Sequence, residues 1–278
     1  MLDPSAPLPP SGIAGFADVD ATADPAAYVA FLDGFQRGLA PMIEAGIDLL
    51  RLESGASVLD VGCGHGAVFE RLAARIGDAG RITGLDSSRT LLEEARRRCD
   101  HRSLGVELHE GDAHQLPFND AVFDATRADR VLIFLHNPRV ALVEMARVTK
   151  PGGRIVVTEA DFGSAIVDAP DPELTRTLLA TAAEAVPGAW IGRRLRGLFV
   201  DVGLVDVEVR MFGAPSTSFG EWVRRMGLAP AGQRAAELGR APAAATNAWL
   251  SDLEARDRAG RFFAASTFFM ASAMRPAT

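Results

Sequence analysis

Two spacings of apolar residues take turns along this chain, one helical and one extended, and their alternation predicts a parallel sheet wrapped by helices. Asp24-Pro25 opens a helix whose apolar positions are Tyr28, Phe31, Leu32, Phe35 and Leu39, and beyond Pro41 the residues Ile43, Ile47, Leu49 and Leu50 continue a second. An apolar strand, Val58-Leu59-Asp60-Val61, then runs into a turn with glycine at 62, 64 and 66, followed at once by a helix carrying Val68, Phe69, Leu72, Ala73 and Ile76. The same strand-then-helix pattern repeats. Arg81–Asp86 precedes a helix capped by Ser87-Ser88 with Leu91, Leu92 and Ala95 inward, and Gly105–His109 reads as the third strand. Asp120–Arg127 is the fourth, followed after His136 by a helix that Asn137-Pro138 starts. Lys150-Pro151-Gly152-Gly153 turns into the fifth, Arg154–Glu159.

Beyond Glu159 the pattern loosens. Residues 160–189 read as a small insertion with a helix around Leu174–Val186, and Ile191 leads a helix that stops at Gly203. Leu204–Phe212 is the sixth strand, 213–259 a second, helical insertion, and Arg261–Arg275 a last strand. The expected organisation is a tail with helices over 1–55, a core over 56–212, a helical cap over 213–259 and a final core strand over 260–278. Met1–Ser11 is expected to be a mobile tail; its prolines and lack of basic residues do not read as a signal peptide.

Composition narrows the classes. The chain has 278 residues, 48% of them hydrophobic and 23% charged, in the ordinary range for a globular protein. A net charge of −7 without a broad basic face argues against a nucleic-acid partner. The longest nearly apolar run, Phe262–Met274, is too short to span a bilayer, so no membrane association is expected. Two cysteines in so long a chain suggest a reducing compartment, and the expectation is a cytoplasmic protein. No residues stand at metal-ligand spacing, and none is assigned to a metal. The oligomeric state is open, a homodimer included.

Candidate chemistry gathers at the carboxyl ends of the strands, where ligands of open parallel sheets bind. The glycine turn allows a nucleotide-like ligand close to the backbone, and its spacing also fits the dinucleotide fingerprint. Asp60, two residues before Gly62, argues against a pyrophosphate and suits a cationic ligand such as an amino-acid ammonium. Asp86, at the end of the second strand, is placed to accept hydrogen bonds from a ribose diol.

The turn around Asp60, Gly62, Cys63 and Gly64 resembles motif I of the class I S-adenosylmethionine-dependent methyltransferases. Three further signals follow in the order of that family: Asp86; Gly111-Asp112-Ala113 with Leu116-Pro117-Phe118; and Pro151-Gly152-Gly153. The resemblance spans residues 56 to about 212. It is closest to the ubiquinone/menaquinone-type and actinobacterial natural-product methyltransferases, the latter through Asp129-Arg130-Val131 and Ile191-Gly192-Arg193-Arg194-Leu195. It implies a Rossmann-like, doubly wound seven-stranded α/β sheet with its last strand antiparallel, and S-adenosyl-L-methionine as cofactor. By analogy Asp60, Gly62, Cys63 and Gly64 face the methionine end, Asp86 with Ser87 the ribose, and Gly111, Asp112 and Ala113 the adenine. Arg127 either approaches the cofactor's carboxylate or pairs with Asp129 or Asp161.

The implied reaction is methylation of a small, largely apolar metabolite at oxygen or carbon by in-line displacement; a cyclisation or rearrangement on the same fold is the alternative. A neutral acceptor needs a base. His136, just before a helix start, and Asp161, just past the fifth strand, are the candidates, each against a structural role. Trp190, Trp222, Met226 and Trp249 suggest an apolar acceptor pocket, or simply pack the cap helices.

Overall fold

The computed structural model describes residues 13–277, apart from the side chains at 14 and 35–37; the stretch expected as a mobile tail, Met1–Ser11, lies outside them. Seven strands form one sheet: β1 (Ser57–Val61), β2 (Arg81–Asp86), β3 (Val106–Glu110), β4 (Phe123–Asp129), β5 (Thr149–Val167), β6 (Val205–Ser216) and β7 (Ala264–Met274). Their spatial order is β3-β2-β1-β4-β5-β7-β6. The first five pair in parallel, and β7 runs antiparallel between β5 and β6. This is the doubly wound Rossmann-like α/β sheet that the motif order implied.

Among the described residues, ten α-helices surround it. They are α1 (Pro25–Gly38), α2 (Ala40–Leu49), α3 (Phe69–Ile76), α4 (Arg89–Arg102), α5 (Pro138–Val148), α6 (Pro172–Ala183), α7 (Ile191–Asp201), α8 (Phe219–Met226), α9 (Leu228–Glu237) and α10 (Ala243–Arg258). Helix starts follow local chemistry. The side chains of Asp24, Ser88, Asn137 and Asp171 each accept a backbone N–H of the turn they open, and all but Ser88 are followed by proline at the first turn.

Strand residues alternate between two cores. Val58 and Val156 point into the layer built by α2, α3 and α4, with Ile43, Leu72 and Leu92; Leu59, Val61, Ile155 and Val157 point into the layer of α5 and α7, with Leu142, Met145, Leu195 and Phe199. Each such fully buried aliphatic side chain contributes roughly 1.5–3 kcal/mol. Among the described residues, no helix is long and apolar enough to cross a membrane.

Three strand boundaries differ from the pattern, for reasons local sequence does not carry. The fourth strand begins at Phe123, not Asp120, because Ala121 takes a positive φ of 57° and the turn it makes is pinned by Arg147 and Val148 carbonyls. The fifth runs on to Val167, through an irregularity after Asp161, because β7 continues alongside it as far as Ala264. The residues read as the start of an insertion are therefore strand. β6 likewise extends to Ser216 against β7. Strands β5, β6 and β7 carry the helices of both insertions, and α6 from the first packs directly on α9 from the second. One cap layer thus arises from two separate stretches of sequence.

Candidate active site

A large cleft opens at the carboxyl ends of β1–β5, beneath the cap and the N-terminal helix. Its floor is the turn after β1. Gly62 and Gly64 have φ of 66° and 55°, conformations that a side chain resists. At Gly62 a Cβ would also stand 2.3 Å from Val131 Cγ2, so this turn and the one after β4 close on each other only because residue 62 has no side chain. The backbone N–H groups of Gly62 and Cys63 both donate to the Leu85 carbonyl, 2.7 and 3.0 Å away, which ties the turn to the end of β2.

Three carboxylates stand in a row along neighbouring strand ends, all lining the cleft: Asp60 from β1, Asp86 from β2 and Asp112 just after β3. Asp86 organises its surroundings through two contacts. Its Oδ2 accepts from Gly64 N at 2.7 Å and its Oδ1 from Ser88 N at 2.9 Å, and burial pushes its carboxyl up. Asp112 is exposed at the rim, accepting from His114 N and from His114 Nδ1 at 2.8 and 2.6 Å. Ser87, Cys63, Gly111 and Ala113 line the same cleft.

Asp60 is not a lone anion. Arg127, reaching across from β4, donates to its Oδ1 at 2.8 Å and to Asp129 at 3.3 Å, and Arg130 holds Asp129 in turn at 2.9 Å. Of the alternatives for Arg127, the geometry has the ion pair with Asp129, completed by one with Asp60. The charges alternate along this buried chain. Burial pushes the Asp60 carboxyl up to about 6 against the pull of Arg127, while Arg130 and Arg127 outweigh burial at Asp129 and hold it low.

The two candidate bases stand in different settings. His136 is exposed, stacks on the His114 ring at 3.9 Å between centroids, and is absent from the cleft lining. It follows the short turn after β4, which carries it outward to the rim. Asp161 does line the cleft and is buried, but both of its oxygens are held by Arg193, at 2.6 and 2.7 Å, with the Arg193 backbone N–H adding a third contact at 3.2 Å. Of the four large residues read as pocket-forming, Met226 lines the cleft. Trp222 and Trp249 are buried in the cap's own core and Trp190 is partly exposed.

Several cleft residues were not foreseen. The N-terminal segment contributes Phe16, Val19, Phe31 and Leu32, with Phe16 edge-on to Tyr28 at 4.7 Å and 5.9 Å from the Phe134 ring. It is fixed by Asp20, which accepts from Ser88 Oγ, Arg89 N and Thr90 N at the start of α4. That long-range contact leaves no periodic trace in the sequence. Arg225 enters from α8 and is 6% exposed; burial lowers its affinity for the proton. A signal for it did exist, since Trp222, Arg225 and Met226 stand at helical spacing on one face.

Sheet and cleft define a Rossmann-like α/β scaffold whose cleft runs from the glycine turn to the underside of the cap. Comparison with known proteins makes this definite. Residues 59–157 match the family described as a methyltransferase domain. The chain is 38% identical over 229 residues to an uncharacterized 37.1 kDa protein in transposon TN4556 of Streptomyces fradiae, covering 81% of this chain and 64% of that one. It is 31% identical over 151 residues to the aklanonic acid methyltransferase DauC of Streptomyces sp. strain C5, covering 54% and 69%. Among solved structures, the YcgJ protein of Bacillus subtilis superposes with a TM-score of 0.59 at 20% identity, covering 86% of this chain and 99% of that one. The chain belongs to the class I S-adenosylmethionine-dependent methyltransferases, of the quinone and natural-product type. It spans from 48% to 64% of the length of the first curated relatives it matches.

The cofactor of that class is S-adenosylmethionine, and the cleft fits it. The three carboxylates stand in the order in which such a nucleoside presents an ammonium, a diol and an amine. The turn at Gly62–Gly64 leaves its backbone open, and Phe16, Val19 and Leu91 supply apolar walls.

Proposed function

We propose that the protein transfers a methyl group from S-adenosylmethionine to a small, largely apolar metabolite, at oxygen or carbon, by in-line displacement. One observation supports this above the rest: the row of acids and the apolar chamber under the cap belong to one continuous cleft, so a nucleoside and an acceptor meet without crossing protein. When bound, the cofactor supplies a methyl group on a sulfonium, already a strong electrophile.

The work left to the chain is holding and shielding. Asp60 would take the ammonium end, sharing its charge with Arg127. Asp86 with Ser87 would take the ribose, and Asp112 with Gly111 and Ala113 the adenine. Phe16, Phe31 and Leu32 cover the cofactor side, and Met226, Phe162 and Phe268 wall the acceptor side. Water is excluded from both, and such positioning accounts for roughly 7–11 kcal/mol of a bimolecular barrier. With Asp161 committed to Arg193 and His136 on the rim, neither is assigned the role of base.

Calorimetry with S-adenosylhomocysteine and with NAD tests the reading. Micromolar binding of the former and none of the latter is expected; the reverse overturns it. Methyl-labelled cofactor incubated with the acceptor, once found, must leave its label in the product.

A further inference from the structure

The sheet ends on β3 at one side and on β6 at the other, and the two edges differ. β3 is five residues long, which leaves little backbone for another strand to pair with. β6 is twelve residues long, carries no lysine, and keeps its proline, Pro215, near the far end. Among the described residues no strand pairs with its outer side. A long edge of this kind is a template for a further strand.

The side chains of β6 say which strand fits. By strand alternation Val207, Val209 and Met211 share the face that α7 covers, where Val207 packs against the core. Val209 is 40% and Met211 69% exposed. Glu208 and Arg210 share the opposite face with Phe212; both are more than half exposed, with 4.0 Å between Arg210 Nη2 and Glu208 Oε2 within one chain. Two copies of β6 related by a two-fold axis pair antiparallel, and the alternation of hydrogen-bonding positions then requires one residue to stand opposite itself. With Glu208 or Arg210 on the axis, like charges face each other. With Val209 on it, Glu208 of each copy faces Arg210 of the other, and Val207 faces Met211. That register matches both charges and closes the apolar stripe. The ladder stops at the irregularity between Val205 and Glu208, where Asp206 takes a φ of 53°. The Val207 carbonyl accepts from Arg196 Nη1 at 2.8 Å, and a carbonyl has a second lone pair for the facing strand.

We infer that the protein self-associates through β6, two copies forming one continuous sheet across a two-fold axis at Val209, with the Glu208–Arg210 pairs setting the register. The inference stands apart from the proposed methyl transfer, since neither charged residue lines the cleft.

Sedimentation velocity of the full chain tests it. One chain has a mass of 29.5 kDa, and a species of twice that mass is expected. E208R sets arginine against arginine in both pairs, and R210E sets glutamate against glutamate. Each should weaken the dimer roughly tenfold or more. An equimolar mixture of the two variants should restore it, because each E208R chain then meets two glutamates on an R210E chain, and no change in the fold of a single chain produces that rescue. Unchanged circular dichroism melts report that the variants fold. M211K, which sets a charge against Val207, should weaken the dimer as well and serves if either charge variant misfolds. A wild-type chain that stays monomeric at concentrations on the order of 100 μM, a dimer that no folded variant weakens, or folded charge variants whose mixture stays monomeric overturns the inference.

Discussion

Glu159 ends the regular part of β5, is fully buried, and holds the chain after β4 in place: its Oε1 accepts from Val131 N at 3.0 Å and Leu132 N at 2.6 Å, while Oε2 has no hydrogen-bond partner. Burial pushes its carboxyl up to about 8, with the neighbouring Asp129 adding to the rise. A raised folded pKa means that the folded state keeps a proton the unfolded state releases from about 4.5 upward. Stability from this group is complete below that value and is lost as pH climbs through about 8. E159Q should therefore retain both backbone contacts and flatten the alkaline loss, becoming more stable than wild type at pH 9 in urea melts. E159A strands two backbone N–H groups and should cost about 2–4 kcal/mol. The sequence marked Glu159 as a polar residue at a strand end, and could say no more. What it does depends on a turn nearly thirty residues earlier. The same holds for Asp60 and Arg127, both flagged as cofactor residues, whose pairing requires that β1 and β4 be neighbours.

Helix α1 is fastened over the cleft by one side chain. Asp33 receives both Nη groups of Arg98 from α4 at 2.9 Å, and its Oδ1 lies 3.0 Å from Nε2 of His65 in the glycine turn. Burial pushes His65 down to about 4, with Arg98 adding to the fall and Asp33 opposing it. The depressed value means that the open form takes up a proton first. Acidification from about 6.5 toward 4 should favour release of the helix. R98M should speed hydrogen exchange in α1 by roughly five- to tenfold, leave the central strands unchanged, and weaken S-adenosylhomocysteine binding. Unchanged exchange in α1 would show that the helix is held by packing alone. Elements of this kind were half legible. The starts of α1, α4, α5 and α6 were written locally, in a cap residue and usually a proline. That α1 lies over the cleft is not written locally, because the residues that fasten it come from a helix some sixty positions away. For the same reason the last third of β5 escaped notice: its partner strand lies a hundred residues downstream.

At the scale of the molecule, the cap over the cleft is a unit assembled from both insertions. Trp249 on α10 donates Nε1 to Thr175 Oγ1 on α6 at 2.9 Å, a buried bond joining the two. W249F should lower stability by about 1–3 kcal/mol, through the lost bond and the space left behind, while affinity for S-adenosylhomocysteine holds. A fall in that affinity of more than a few fold would mean that cap and floor are coupled. The sheet order, the acid row and the family were readable because four short motifs occur in a fixed order along consecutive strand ends. The acceptor side was not, since Trp222 and Trp249 are the cap's own core and Trp190 stands partly exposed. The double origin of the cap bears on how such proteins diversify. Grafting only one stretch from a cousin would leave α6 or α9 facing a stranger, and the chimera should misassemble. Recombination that carries both together, with the tips of β5, β6 and β7 that bear them, exchanges the whole roof and leaves the nucleoside floor as it was.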